Sequence, residues 1–186
     1  MKKKLFAVAM VLICLSVVAG GTLAYFTDDA IARNVITTSG VDIELVEKHI
    51  DESGVEVDFP EDGIMGSMPG ISVSKIVSVK NVGADAWIRV LVEKKITAAD
   101  GSALSADVVT FDVDESKWEL RDGYYYYLLP VGTDASTEVL FDEVVFAASM
   151  GNEYQGCKTE IIVSAQAVQV ANNGATVQEA AGWPET

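Results

Sequence analysis

ISVSKIVSVK (71–80), NVG (81–83) and WIRVLVEK (87–94) are the stretches that decide the fold. The first is rich in valine, isoleucine and serine, the composition of a strand. In the third, Ile88, Val90 and Val92 fall on one face while Trp87, Arg89 and Leu91 fall on the other. That period of two is the spacing of side chains along an extended chain. Between them, Asn81-Val82-Gly83 supplies the residue types that reverse a chain.

The same pattern spreads outward. Val41, Ile43 and Leu45 alternate with Asp42 and Glu44, the mark of a half-buried strand. Further strands are expected over 108–113, 117–120, 124–129, 137–146 and 159–170, the last with Ile161, Val163, Ala165 and Ala167 on one face. Turn residues separate them: Ser53-Gly54, Asp62-Gly63, Pro69-Gly70, Asp100-Gly101, Asp122-Gly123, Pro130-Val131-Gly132 and Asn172-Asn173-Gly174. No long helical period appears. Many strands with short turns predict an all-β fold, a single jelly-roll-like β-sandwich over 40–174. Residues 175–186 are small and polar and read as a C-terminal tail that frays.

At the N-terminus, Lys2, Lys3 and Lys4 precede the apolar run LFAVAMVLICLSVV (5–18), then Gly20 and Gly21. A positive region, an apolar helix and small residues at Thr22-Leu23-Ala24 make a secretory signal peptide over 1–24, cut between Ala24 and Tyr25. The 24 residues carry three of the 13 basic groups and none of the 28 acidic ones, so the 162 that remain carry a formal charge of −18. Such a surface repels nucleic acid and anionic lipid. Cys14 leaves with the signal. Cys157, alone in the mature chain, forms no internal disulfide, so the core must hold the fold. The setting is extracellular.

Catalytic constellations are thin. His49 is the single histidine, in Glu47-Lys48-His49-Ile50-Asp51, and reads as a solvated residue at a strand end. A zinc site of the H-E-x-x-H type needs two histidines one helical turn apart. Asp112-Val113-Asp114-Glu115 opens like a calcium loop, but Lys117 stands where the sixth-position glycine belongs. The sequence therefore gives no catalytic residue, no metal site and no cofactor. Tyr124, Tyr125, Tyr126 and Tyr127 are the interface candidates. On a strand one pair packs inward and the other faces out, where tyrosine makes contact area at low entropic cost.

Gly20-Gly21-Thr22-Leu23-Ala24-Tyr25-Phe26-Thr27-Asp28, followed by Gly40-Val41-Asp42-Ile43, resembles the signal junction and first strand of Gram-positive exported proteins processed by the signal peptidase SipW, the TasA/camelysin-like family. Met68-Pro69-Gly70 leading to Val79-Lys80-Asn81-Val82-Gly83 is similar to the family's turn–strand–turn block. Trp118 through Tyr127, Leu140-Phe141-Asp142 and Asn152 to Gly156 resemble a clostridial branch, so the likeness runs from about residue 20 to 174. The resemblance implies a jelly roll secreted to the cell surface or biofilm matrix, self-association into fibres, and contact with wall or matrix components. It also implies that residues 25–39 act as a donor strand completing the sheet of the next subunit, with Tyr25, Phe26, Val35 and Ile36 filling its pockets. Two other readings are a monomeric surface-adhesion module and a secreted metallopeptidase, the activity under which camelysin-like relatives have been classed.

Overall fold

The computed structural model describes residues 34–37, 40–60 and 69–184, all within the unit Ile31–Thr186. The expected signal segment over 1–24, with Thr22, Leu23 and Ala24, lies outside the described residues, as do Tyr25 and Phe26 beyond the expected cut. The described chain runs through eleven strands: β1 (Asn34–Thr37), β2 (Ile43–Ile50), β3 (Glu56–Asp58), β4 (Ser72–Asn81), β5 (Ala86–Thr97), β6 (Ala103–Leu104), β7 (Val109–Phe111), β8 (Trp118–Arg121), β9 (Tyr124–Tyr127), β10 (Phe141–Phe146) and β11 (Lys158–Gln169). A 3₁₀ turn at Asn152–Tyr154 interrupts them.

The strands form a β-sandwich. One sheet has the order β1-β11-β5-β9-β8, with β6 added to the far end of β5. The other has the order β3-β2-β4-β10-β7. All pairings are antiparallel except that of β1, which lies parallel to β11. The spine is the β5–β11 ladder, unbroken from Ala86↔Gln169 to Thr97↔Lys158. The alternation expected for β5 holds: Ala86, Ile88 and Val90 are buried in the core, against Val163, Ala165 and Ala167 of β11. From the facing sheet come Ile43, Leu45, Val77, Val79, Phe141 and Val144. Burying each such aliphatic side chain contributes roughly 1.5–3 kcal/mol. The Trp118 indole lies 5.0 Å from the Tyr127 ring and donates to Val139 O at 3.2 Å.

The Asn-x-Gly turn does more than reverse the chain. Asn81 is fully buried at the crossing from β4 to β5. Its Nδ2 donates to Ala84 O (2.9 Å) and Val131 O (2.8 Å), and its Oδ1 accepts from the Gly83 N–H (3.0 Å). A β-carbon on Gly83 would collide with the Asp42 amide nitrogen, so only glycine permits the backbones to touch here. Asp122 (φ 52°) and Gly123 (φ 84°) give the two positive angles of a tight hairpin between β8 and β9.

Two expectations change. The strand foreseen over 137–146 is regular only from Phe141. Before it, Thr137 Oγ1 accepts from the Val79 N–H while Leu140 N–H donates to Val77 O, and a register shift follows between Phe141 and Glu143. Residues 175–184 do not fray as a tail. Val177 is fully buried in a second cluster with Trp87, Tyr126 and Val168, on the outer face of the β11-β5-β9 sheet.

Candidate assembly surface

The strand order of the sheet places β1 at its rim. It pairs Asn34↔Ser164, Val35↔Ala165, Ile36↔Gln166 and Thr37↔Ala167, and β11 has no other neighbour on that flank among the described residues. A strand rim exposes a row of backbone donors and acceptors that another extended segment can satisfy. Of the self-assembly candidates, Val35 and Ile36 therefore occupy the ladder levels of Ala165, on the core face, and Gln166, on the outer face.

Register carries one row across the whole sheet: Ile36, Gln166, Arg89, Tyr126 and Glu119. The four tyrosines alternate across it as a strand requires. Tyr125 and Tyr127 pack on the main core, while Tyr124 and Tyr126 belong to the outer face. That outer pair is not left open. Tyr126 is buried, with the Trp183 ring edge-on at 5.6 Å.

Trp183 belongs to a strap formed by the chain after Gly174. Asn173 clasps its far end, donating from Nδ2 to Ala181 O (3.0 Å) and accepting at Oδ1 from the Ala181 N–H (2.9 Å). Glu179 returns to accept from the Ala175 N–H at 2.9 Å, and Gln178 donates to Glu119 at 2.6 Å. A β-carbon on Gly174 would press against the Glu179 backbone, which accounts for glycine where the strap turns. Beneath the strap, the Arg89 guanidinium lies between Tyr124 (4.0 Å) and Trp183 (4.7 Å). It donates to Gln166 Oε1 (2.8 Å), Tyr126 Oη (3.0 Å) and Pro184 O (3.3 Å). Arg121 stacks on Tyr126 at 4.4 Å. Two of the chain's three arginines thus meet on this aromatic face of an otherwise acidic protein.

Three other polar sites were read in the sequence or missed by it. Glu47 and Lys75, on the core face of β2 and β4, form a buried ion pair of 2.6 Å, and the ammonium lies 3.7 Å from the Phe59 ring centre. His49 is not simply solvated: its ring meets Phe59 edge-on at 5.8 Å, and Nδ1 is buried without a partner. Asp112 accepts the backbone N–H groups of Asp142 and Glu143 at 3.2 and 2.9 Å, tying β7 to the β10 irregularity. The hydrogen bond shared with Asp112 pushes the Asp142 carboxyl up to about 6, with partial desolvation and the negative charges of Asp112 and Glu143 adding to it. Cys157 is half-buried against the main core. Among the described residues no three acidic, histidine or cysteine side chains gather to hold a metal ion.

No protein-family model, curated protein or solved structure matches this chain.

Proposed function

We propose that the protein is an exported structural component of the cell surface or matrix, built on a jelly roll and assembled by strand exchange. A SipW-type peptidase frees Tyr25, and residues 25–39 of one subunit complete the sheet of the next along β11. The observation that supports this most directly is the β1–β11 pairing. Asn34–Thr37 begins only ten residues beyond the expected cut, yet it occupies the rim of the sheet as the single parallel strand among the described residues. A parallel neighbour needs no tight turn to β11, so a segment of another copy can lie there equally well. The jelly-roll assignment is supported by successive crossings between sheets, at β4–β5, β6–β7, β7–β8, β9–β10 and β10–β11.

Electron microscopy of protein beginning at Tyr25, beside protein beginning at Gly40, tests this reading. Fibres are expected from the longer form only. Monomers in both preparations across pH and ionic strength would sink it.

A further inference from the structure

Gln166 is 1% exposed, yet its Nε2 is buried without a hydrogen-bond partner. The amide cannot be turned round to help. Its Oε1 already accepts from Arg89 Nε, and reversal would set two donors against each other. Arg89 is itself fixed by Tyr126 Oη, Pro184 O and the rings of Tyr124 and Trp183. A buried donor left unpaired is costly, so the unmet need lies on the other flank, where position 36 of β1 stands. The residue at that register position, isoleucine, is of a type that carries no hydrogen-bond acceptor.

We propose that Gln166 reads the strand laid against β11, and that the chain's own β1 is a mismatched occupant in this register. The matched occupant is the 25–39 segment of a second copy, shifted by two residues. This deepens the strand-exchange reading and rests on it. A shift of two keeps every side chain on its face, whereas a shift of one would exchange the faces. Asn34 then lies opposite Gln166, where its Oδ1 accepts from Nε2. Ile36 moves opposite Val168, part of the buried apolar cluster around Trp87 and Tyr126. Val35 passes from Ala165 to Ala167, both fully buried on the core face. Each residue meets a partner of its own polarity, and the free donor of Gln166 is satisfied.

The test starts with monomeric protein beginning at Tyr25. Ile36→Thr and Ile36→Val have nearly the same shape, but only the first supplies an acceptor. Hydrogen exchange over residues 34–37 should be about tenfold slower in the threonine variant than in the valine variant. Equal rates, or faster exchange with threonine, overturn the proposal. Repeating the pair in a Gln166→Leu or Gln166→Met background should abolish the difference; a difference that persists also overturns it. Should neither background fold, the threonine–valine comparison still decides.

The register is tested in fibres carrying Cys157→Ser. Ile36→Cys with Val168→Cys should yield disulfide-linked ladders between subunits. Inter-subunit ladders from Ile36→Cys with Gln166→Cys instead would refute the shift. A wild type that forms no fibres rejects the strand-exchange reading, whereas the exchange result in the monomer bears on Gln166 alone.

Discussion

The Glu47–Lys75 pair gives the sharpest test of how this sandwich is held together. Its two side chains are 1% and 2% exposed, and they sit on positions that continue the core faces of β2 and β4. Lys75→Met removes the ammonium that meets the Glu47 carboxylate at 2.6 Å, and Glu47→Leu removes the carboxylate that meets the Lys75 ammonium. Removing one partner of a buried pair costs about 3–5 kcal/mol, because their mutual attraction no longer offsets the survivor's desolvation. Each kcal/mol lowers the melting temperature of a domain of this size by roughly 2–4 °C, so each single variant should melt about 6–20 °C lower. The double variant Glu47→Leu/Lys75→Met fills similar volume without charge. It should unfold within about 1 kcal/mol of the wild type, or be more stable. Phe59 favours that outcome, since a methionine sulfur packs well against the ring that now faces the ammonium. Urea titration followed by tryptophan fluorescence, on protein lacking residues 1–24, measures all four species. Single variants within about 1 kcal/mol of the wild type would refute the reasoning. So would a double variant whose loss equals the sum of the singles.

Three further outcomes follow from the geometry. Asn81→Ala removes one buried acceptor and two buried donor bonds, and should cost about 3 kcal/mol or more in the same titration; a loss under about 1 kcal/mol would show the turn to be dispensable. Val177→Ala should cost about 2 kcal/mol, and deleting residues 175–186 should red-shift tryptophan emission relative to a Trp183→Phe reference as Trp87 meets water; a spectrum unchanged from that reference contradicts the strap. The Asp142 carboxyl is raised on folding, so its contribution to stability is complete below the unfolded value near pH ~4 and is lost as pH rises through about 6. Asp142→Asn should flatten that slope and gain less than about 1 kcal/mol at pH ~8, because the site is exposed; a slope unchanged in the variant assigns it to other groups. Asp112, held below the usual carboxylate range despite its desolvation by hydrogen bonds from Asp142 and Glu143, acts in the opposite sense, its contribution vanishing only as pH falls below its unfolded value.

Much of the sandwich is legible locally. Alternation in 41–45, 87–94 and 161–167 identifies the buried faces of β2, β5 and β11, because side-chain direction reverses at every residue of an extended chain. The split of the four tyrosines between two faces follows from the same rule. Asn81 and Gly83 are legible as a turn, but their purpose is not. Gly83 is required by Val41 and Asp42, some forty residues away, and no local pattern records that approach.

The sequence by itself determines the β-class, the turns, the acidic surface and the faces that must be buried, since each depends on near neighbours in the chain or on composition. Only the tertiary structure decides which strands become neighbours, because pairing depends on closure of long loops and on packing between sheets. It sets β1 on β11 and brings Glu47 to Lys75. It also covers Tyr126 with a C-terminal segment that composition marks as a tail. Val177 and Trp183 are too few to announce a buried strap. Val177 is buried and Trp183 partly so, because the outer face of β5, β9 and β11 would otherwise present Trp87, Tyr126 and Val168 to water, and covering that face stabilises a segment with little propensity of its own. The unpartnered Nε2 of Gln166 belongs to the same level of description, for the strands on its two flanks, β1 and β5, come from distant parts of the chain.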